Sequence, residues 1–130
     1  MIFSQTVLQY VDDLSGTYRM MAAWLKPGGF MSHQIDYKNY HLADEWNGHW
    51  CYSDIEWAVV KGQRTYTNNR APHSAHIAAL RAAGLSIAYE QRATQPSSLR
   101  PSDLAPNFRH LSADDLTASG AFILSVKPAS

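Results

Sequence analysis

Cysteine is nearly missing from this chain: Cys51 is the only one in 130 residues. One thiol excludes an intrachain disulfide and every zinc motif built on several cysteines. It also fits a reducing, cytoplasmic compartment. Net charge is missing too, because 11 Lys+Arg balance 11 Asp+Glu. Dedicated nucleic-acid binders and polybasic membrane-surface proteins carry a basic excess, so neither partner is expected. The longest apolar run, Met20–Leu25, is six residues. A membrane-spanning helix needs about 20 residues, and a signal h-region also needs more than this. The first residues lack the basic start and small-residue cleavage site of an export signal. No internal repeat and no low-complexity block is visible. The spacings GxGxxG and HExxH are absent, so Gly28-Gly29 reads as a turn and not as a phosphate loop.

What remains is the composition of one folded domain. Hydrophobic residues make up 45% and aromatics 12% of the chain, which excludes intrinsic disorder. At 14.5 kDa, area scaling gives roughly 6,900 Å² of folded surface against about 21,000 Å² unfolded. That burial supports a real core.

Met1–Val7 is apolar and β-favouring, as a buried strand would be. Leu14, Tyr18, Met21, Ala22 and Leu25 mark one face of a helix over about Leu14–Leu25, with Asp12, Asp13 and Ser15 near its start. Lys26-Pro27-Gly28-Gly29 stops it. Phe30–Asp36 reads as the next strand, so the first third is a βαβ unit with a parallel pair. Tyr37–Asn69 is irregular and rich in aromatics and histidine. Within it, Ser53-Asp54-Ile55-Glu56 is a capping box that predicts a short helix over about Asp54–Lys61. Ser74 is placed to cap a helix over Ala75–Ala83, ended by Gly84. Leu85–Gln91 alternates as a strand. Thr94–Pro106 is a Pro/Ser-rich loop, Ser112 is placed to cap one turn, and Ala121–Val126 is a last strand antiparallel to its predecessor.

Ligands of open α/β sheets bind beyond the carboxyl ends of the strands. Here that means Ser4-Gln5 onward and His33–Asp36 onward, and the polar-aromatic stretch begins at the second place. His33, Asp36, His41 and His49 are candidates for a general base and its carboxylate partner. Each histidine reads equally as a structural, hydrogen-bonded residue. The same set could serve as a two-His-one-carboxylate metal site, although no regular ligand spacing supports it. Trp46, Asn47 and Trp50 suit either a substrate clamp or a small aromatic core. Arg70, after Asn68 and Asn69, suits either an anion site or an ordinary surface position. Cys51 reads as an inert small residue.

Val7-Leu8-Gln9-Tyr10-Val11-Asp12-Asp13-Leu14, followed by Trp24-Leu25-Lys26-Pro27-Gly28-Gly29, resembles the class I S-adenosylmethionine-dependent methyltransferases. That family shows a V-L-E-H-V-x-D-L stretch after its fourth strand and an L-K-P-G-G turn before its fifth; here Gln9-Tyr10 stands for Glu-His. Gly84 and Val126-Lys127-Pro128 also look like its final third. Ser32–Asp36 and Trp46–Trp50 look like a bacterial subgroup associated with saccharide or secondary-metabolite gene clusters. The resemblance implies a partial Rossmann-like α/β sheet, strands four to seven of seven, with the last antiparallel and helices flanking. Residues 1–130 would be one partial domain, with an aromatic and histidine-rich acceptor-side insertion at about 37–70. The glycine-rich loop and ribose-binding acid of the first half have no counterpart.

The implied activity is methyl transfer from S-adenosylmethionine to a small-molecule or saccharide acceptor. Ser4, Gln5 and Val7 would line the methionine side of the cofactor. Asp36, His33, His41 and His49 would act as base or orienting groups, and Trp46, Asn47, Trp50, Tyr52, Asn68 and Arg70 would shape the acceptor pocket. Alternatives are a non-catalytic remnant that binds or self-associates, and a His/Asp metal-dependent enzyme. The strand at the amino terminus would be an open edge, which a homodimer or a second chain supplying the missing half would cover.

Overall fold

The computed structural model describes residues 1–129. Four strands form one mixed sheet: β1 (Ile2–Gln5), β2 (Phe30–Asp36), β3 (Ser86–Thr94) and β4 (Ala118–Val126), in the order β1-β2-β4-β3. β1 runs parallel to β2, with Ser4 opposite His33. β4 is antiparallel to both of its neighbours, β2 and β3. The helices are α1 (Leu14–Trp24), α2 (Asp54–Lys61), α3 (His73–Ala82) and the single turn α4 (Ala113–Thr117).

The periodicity of α1 does what it predicts. Tyr18, Met21, Ala22 and, just past its end, Leu25 are buried, while Asp13 caps its start by accepting from the Gly16 N–H. Lys127 closes the other end, donating from Nζ to the Ala22 and Leu25 carbonyls at 2.8 and 2.9 Å. A cation there satisfies carbonyls that have no intrahelical partner. Gly28 takes φ +75° in the turn that returns the chain to β2.

α1 and α3 pack on one face of the sheet. The core between them holds Tyr18, Met21, Met31, Ile35, Leu80 and Ile123. Strand alternation continues the pattern: in β2, Met31, His33 and Ile35 are fully buried and Phe30 and Gln34 are exposed. A Cβ on Gly120 would come within 2.9 Å of the Ile35 carbonyl, so the β2–β4 contact requires glycine there. A second, smaller core gathers Trp50, Leu104, Leu111 and Leu116 under the segment that joins β3 to β4.

Several boundaries move, each for a local reason. β1 ends at Gln5 and not Val7, because Thr6 turns to φ +53° before a 3-10 turn at Leu8–Tyr10. α3 starts at His73, and Ser74 is not its cap. The cap comes from α4: Asp115 accepts from the Ser74 N–H at 2.9 Å and from its hydroxyl at 2.7 Å. β3 and β4 run three residues further than their alternation suggests, to Thr94 and from Ala118. Those two residues pair with each other, so each extension supports the other. The capping box holds as expected, with Ser53 and Glu56 bonded reciprocally.

The Tyr18 hydroxyl lies 2.9 Å from His76 Nδ1, in a fully buried site that ties α1 to α3. Tyr18→Phe keeps the ring packing and leaves that nitrogen without a partner. The expected loss is about 1–3 kcal/mol, read as a lower urea midpoint with an unchanged slope.

Candidate functional site

The carboxyl ends of β1 and β2 lie side by side, and the chain leaving β2 forms a cavity there. It measures about 340 Å³ and is lined by Lys38, Asn39, Tyr40, His41, Ala43, Asp44 and Trp46. Asp36, at the last position of β2, is tied to this wall. One of its oxygens accepts from the Lys38 N–H at 2.9 Å, and the other accepts from the Tyr40 hydroxyl at 2.8 Å. Lys38 Nζ stands 3.6 Å from the same carboxylate. Tyr40 and His41 hold φ of +52° and +67°, a conformation that side chains other than glycine rarely adopt. Burial, and then the Asp36 carboxylate, push the Tyr40 hydroxyl above its ordinary range. Tyr10 stacks on Tyr40 with centroids 6.3 Å apart, and Tyr66 meets Tyr10 edge-on at 6.1 Å.

Of the expected base residues, Asp36 and His41 reach this wall and His33 and His49 do not. His33 is fully buried beneath the sheet, where its Nδ1 lies 2.7 Å from Ser4 Oγ. Burial lowers its pKa to about 4. His49 is fully buried against Trp50, with both ring nitrogens unpartnered, and burial followed by the nearby Arg70 charge lowers its pKa to about 3. The four side chains do not converge. Among the described residues no group of three His, Cys, Asp or Glu is placed to hold a metal ion.

The expected acceptor residues divide in the same way. Trp46 lines the cavity, with its indole N–H donated to the Pro96 carbonyl. Asn47 is sealed inside, donating to Ser97 and to the Leu116 carbonyl. Trp50 is fully buried in the small core and donates to the Arg70 carbonyl. Asn68 donates to the Lys38 carbonyl and accepts from the Arg70 N–H, bracing the loop from behind. Tyr52 stacks on Trp57. Arg70 is a structural cation, not a free anion site. Its guanidinium lies between the Trp57 and Phe108 rings, 5.4 and 4.9 Å from their centroids. It also donates to the Tyr52 carbonyl and pairs with Asp54. These partners occupy both of its terminal nitrogens.

At the end of β1, Ser4 is half-buried and its hydroxyl is engaged by His33, while Gln5 and Val7 are exposed. Burial also pushes the Cys51 thiol up, away from a reactive thiolate.

A buried histidine-tyrosine layer lies outside the residues to which the sequence points. Tyr37 is 2.9 Å from His73 Nδ1, and His73 Nε2 is 2.7 Å from the Glu90 carboxylate. With Tyr18–His76, this places His73 and His76 on the inner face of α3. Their spacing from Leu80, four and seven residues back, was the available signal.

Neither a protein-family model nor a curated protein sequence matches the chain. Solved structures do. An S-adenosylmethionine-dependent methyltransferase from Mesorhizobium loti matches at TM-score 0.58 and 13% identity, over 96% of this chain and 60% of that one. A methyltransferase of the same kind from Methanosarcina mazei matches at TM-score 0.61 and 12% identity, over 98% and 58%. The [4+2]-cyclase SpnF matches at TM-score 0.55 and 14% identity, over 98% and 49%. The chain has the class I methyltransferase fold in part, and it spans about half to three fifths of the length of these neighbours.

Two predictions follow from the buried cations and histidines. Arg70→Ala empties the slot between two rings and strands the Tyr52 carbonyl, for an expected loss of roughly 2–4 kcal/mol in denaturant unfolding. The second concerns pH. His33, His49 and His76 have folded pKa values of about 4, 3 and 3, below the ordinary 6.5. The unfolded chain therefore binds more protons below pH 6.5. Stability is full above that pH and falls as pH drops toward 4, by up to about 1.4 kcal/mol per unit for each histidine. Thermal melts from pH 7 to pH 4 check this, and His76→Gln should flatten the slope.

Proposed function

We propose that this chain forms the acceptor side of an S-adenosylmethionine-dependent methyl-transfer site, with a small molecule as acceptor. The observation that carries this is the cavity beyond the carboxyl end of β2, in a sheet with the methyltransferase fold. Among the described residues no helix is long and apolar enough to cross a membrane.

The residues present fit one side of the cofactor. The end of β1 offers Gln5, Thr6 and Val7, with the Ser4 hydroxyl already engaged, while the glycine-rich loop and the ribose-binding acid that the resemblance implies have no counterpart in this sequence. The cofactor's sulfonium supplies an electrophilic methyl group when bound. This chain's part is to hold the acceptor and take its proton. Trp46 and Tyr40 give flat contact surfaces, and Lys38 and Asp44 give polar contacts. Asp36 and His41 stand where an acceptor hydroxyl or amine would need a base. Asp36 is already positioned by the Lys38 N–H and the Tyr40 hydroxyl, so it would act without rearrangement. The incomplete cofactor side supports a second reading, a binding module that keeps the acceptor cavity without turnover.

Titration of the isotope-labelled chain with S-adenosylhomocysteine, followed by amide NMR shifts, tests the first reading. Weak, saturable shifts confined to Ser4–Tyr10 and Asp36–His41 are expected, and Asp36→Asn should alter those of the second segment. A folded chain with no shift at millimolar ligand, or with shifts elsewhere, would overturn it in favour of the binding module.

A further inference from the structure

α1 and α3 cover one face of the sheet and leave the other bare. The strand register puts Phe3, Phe30, Tyr89, Phe122, Leu124 and Val126 together on the bare face. Phe3 is 72% exposed, Tyr89 50% and Phe30 42%. Between them stand uncharged Gln5, Ser32, Gln34 and Gln91. Asp36, at the far end of β2, is the one charged residue that the register places there. The accessible surface of the chain is 7410 Å², above the roughly 6,900 Å² expected of a monomer of this mass.

We propose that this face is a self-association surface, on which two copies stack bare face to bare face about a two-fold axis. The result is a sandwich of two four-stranded sheets, with α1 and α3 outermost on each side. A two-fold interface presents the same patch to itself, so charge of one sign would repel; this patch is almost free of charge. Four strands about 4.8 Å apart and up to nine residues long give a footprint on the order of 500 Å² per copy. Two such footprints reach the roughly 1,000 Å² that a specific interface requires. The edge pairing expected from the sequence would join only the four residues of β1 and leave Phe122 and Leu124 in water. Stacking covers them. A chain of different sequence that covered the same face would leave this chain monomeric when alone.

Sedimentation velocity of the purified chain, from low to high micromolar concentration, tests the proposal. A dimer mass is expected. Leu124→Lys should weaken association at least tenfold, while Gln5→Pro, which blocks strand addition at the β1 edge and removes one side chain at the rim of the face, should weaken it far less. Circular dichroism checks that each variant folds. Should Leu124→Lys unfold, Gln34→Cys in a Cys51→Ser background decides the matter. A short bismaleimide should then join two copies through the face, and failure to cross-link would overturn the proposal. A wild-type chain that stays monomeric, or a dimer that Gln5→Pro dissolves and Leu124→Lys does not, would also overturn it. The proposal rests on the sheet alone and stands or falls independently of methyl transfer.

Discussion

Two buried tyrosine hydroxyls, each 2.9 Å from a histidine Nδ1, lie at the junction of the sheet and its helices. Tyr18 on α1 meets His76, and Tyr37 just past β2 meets His73, so both bonds converge on α3. Burial of a hydroxyl or imidazole is costly unless each finds a partner. These pairings therefore fix how α3 rotates on the sheet. They also fix where the chain leaves β2, because Tyr37 is the residue after Asp36. The position of Asp36 at the cavity wall thus depends on a contact buried behind it.

Burial sets the charge state of both cores. His33, His49 and His76 are all held neutral by burial, and His76 lies near two other imidazoles that further oppose its protonation. The second nitrogen of His73 faces the Glu90 carboxylate at 2.7 Å. A neutral imidazole can accept a hydrogen bond from the Tyr18 hydroxyl at His76 Nδ1, and an imidazolium could not. Packing and protonation state are consequently one constraint in this fold.

Much of the fold was legible in the sequence because its signals are local. The α1 stripe, the Ser53–Glu56 capping box and the alternation of Phe30–Asp36 each depend on residues within a few positions of one another. What was not legible came from distant partners. Asp115 caps α3 from another element, and β3 and β4 lengthen each other through Thr94 and Ala118. The candidate site divides along the same line. Asp36, His41 and Trp46 follow from their place after a strand, which position alone predicts. His49, Asn47, Trp50 and Arg70 carry the same polar and aromatic composition, yet their partners lie in Pro96–Leu116 and in α2. Composition could not separate the two groups, because the distinguishing contacts cross up to 69 residues of chain.

The fold also limits what likeness can carry. One partial sheet matches methyltransferases and a [4+2]-cyclase at similar TM-scores, so the sheet by itself does not choose a reaction. The choice has to come from side chains at the carboxyl ends of the strands. In this chain those are a carboxylate already held by a backbone amide and a tyrosine, an exposed histidine in a strained loop, and a cation 3.6 Å away. That set can orient a polar acceptor and accept a proton. It offers little grip on an anion, since Lys38 is already paired with Asp36. The polar groups of this half-sheet are therefore gathered at the end of β2 and in the loop that follows it, and the end of β1 beside them offers only an engaged serine and exposed Gln5, Thr6 and Val7.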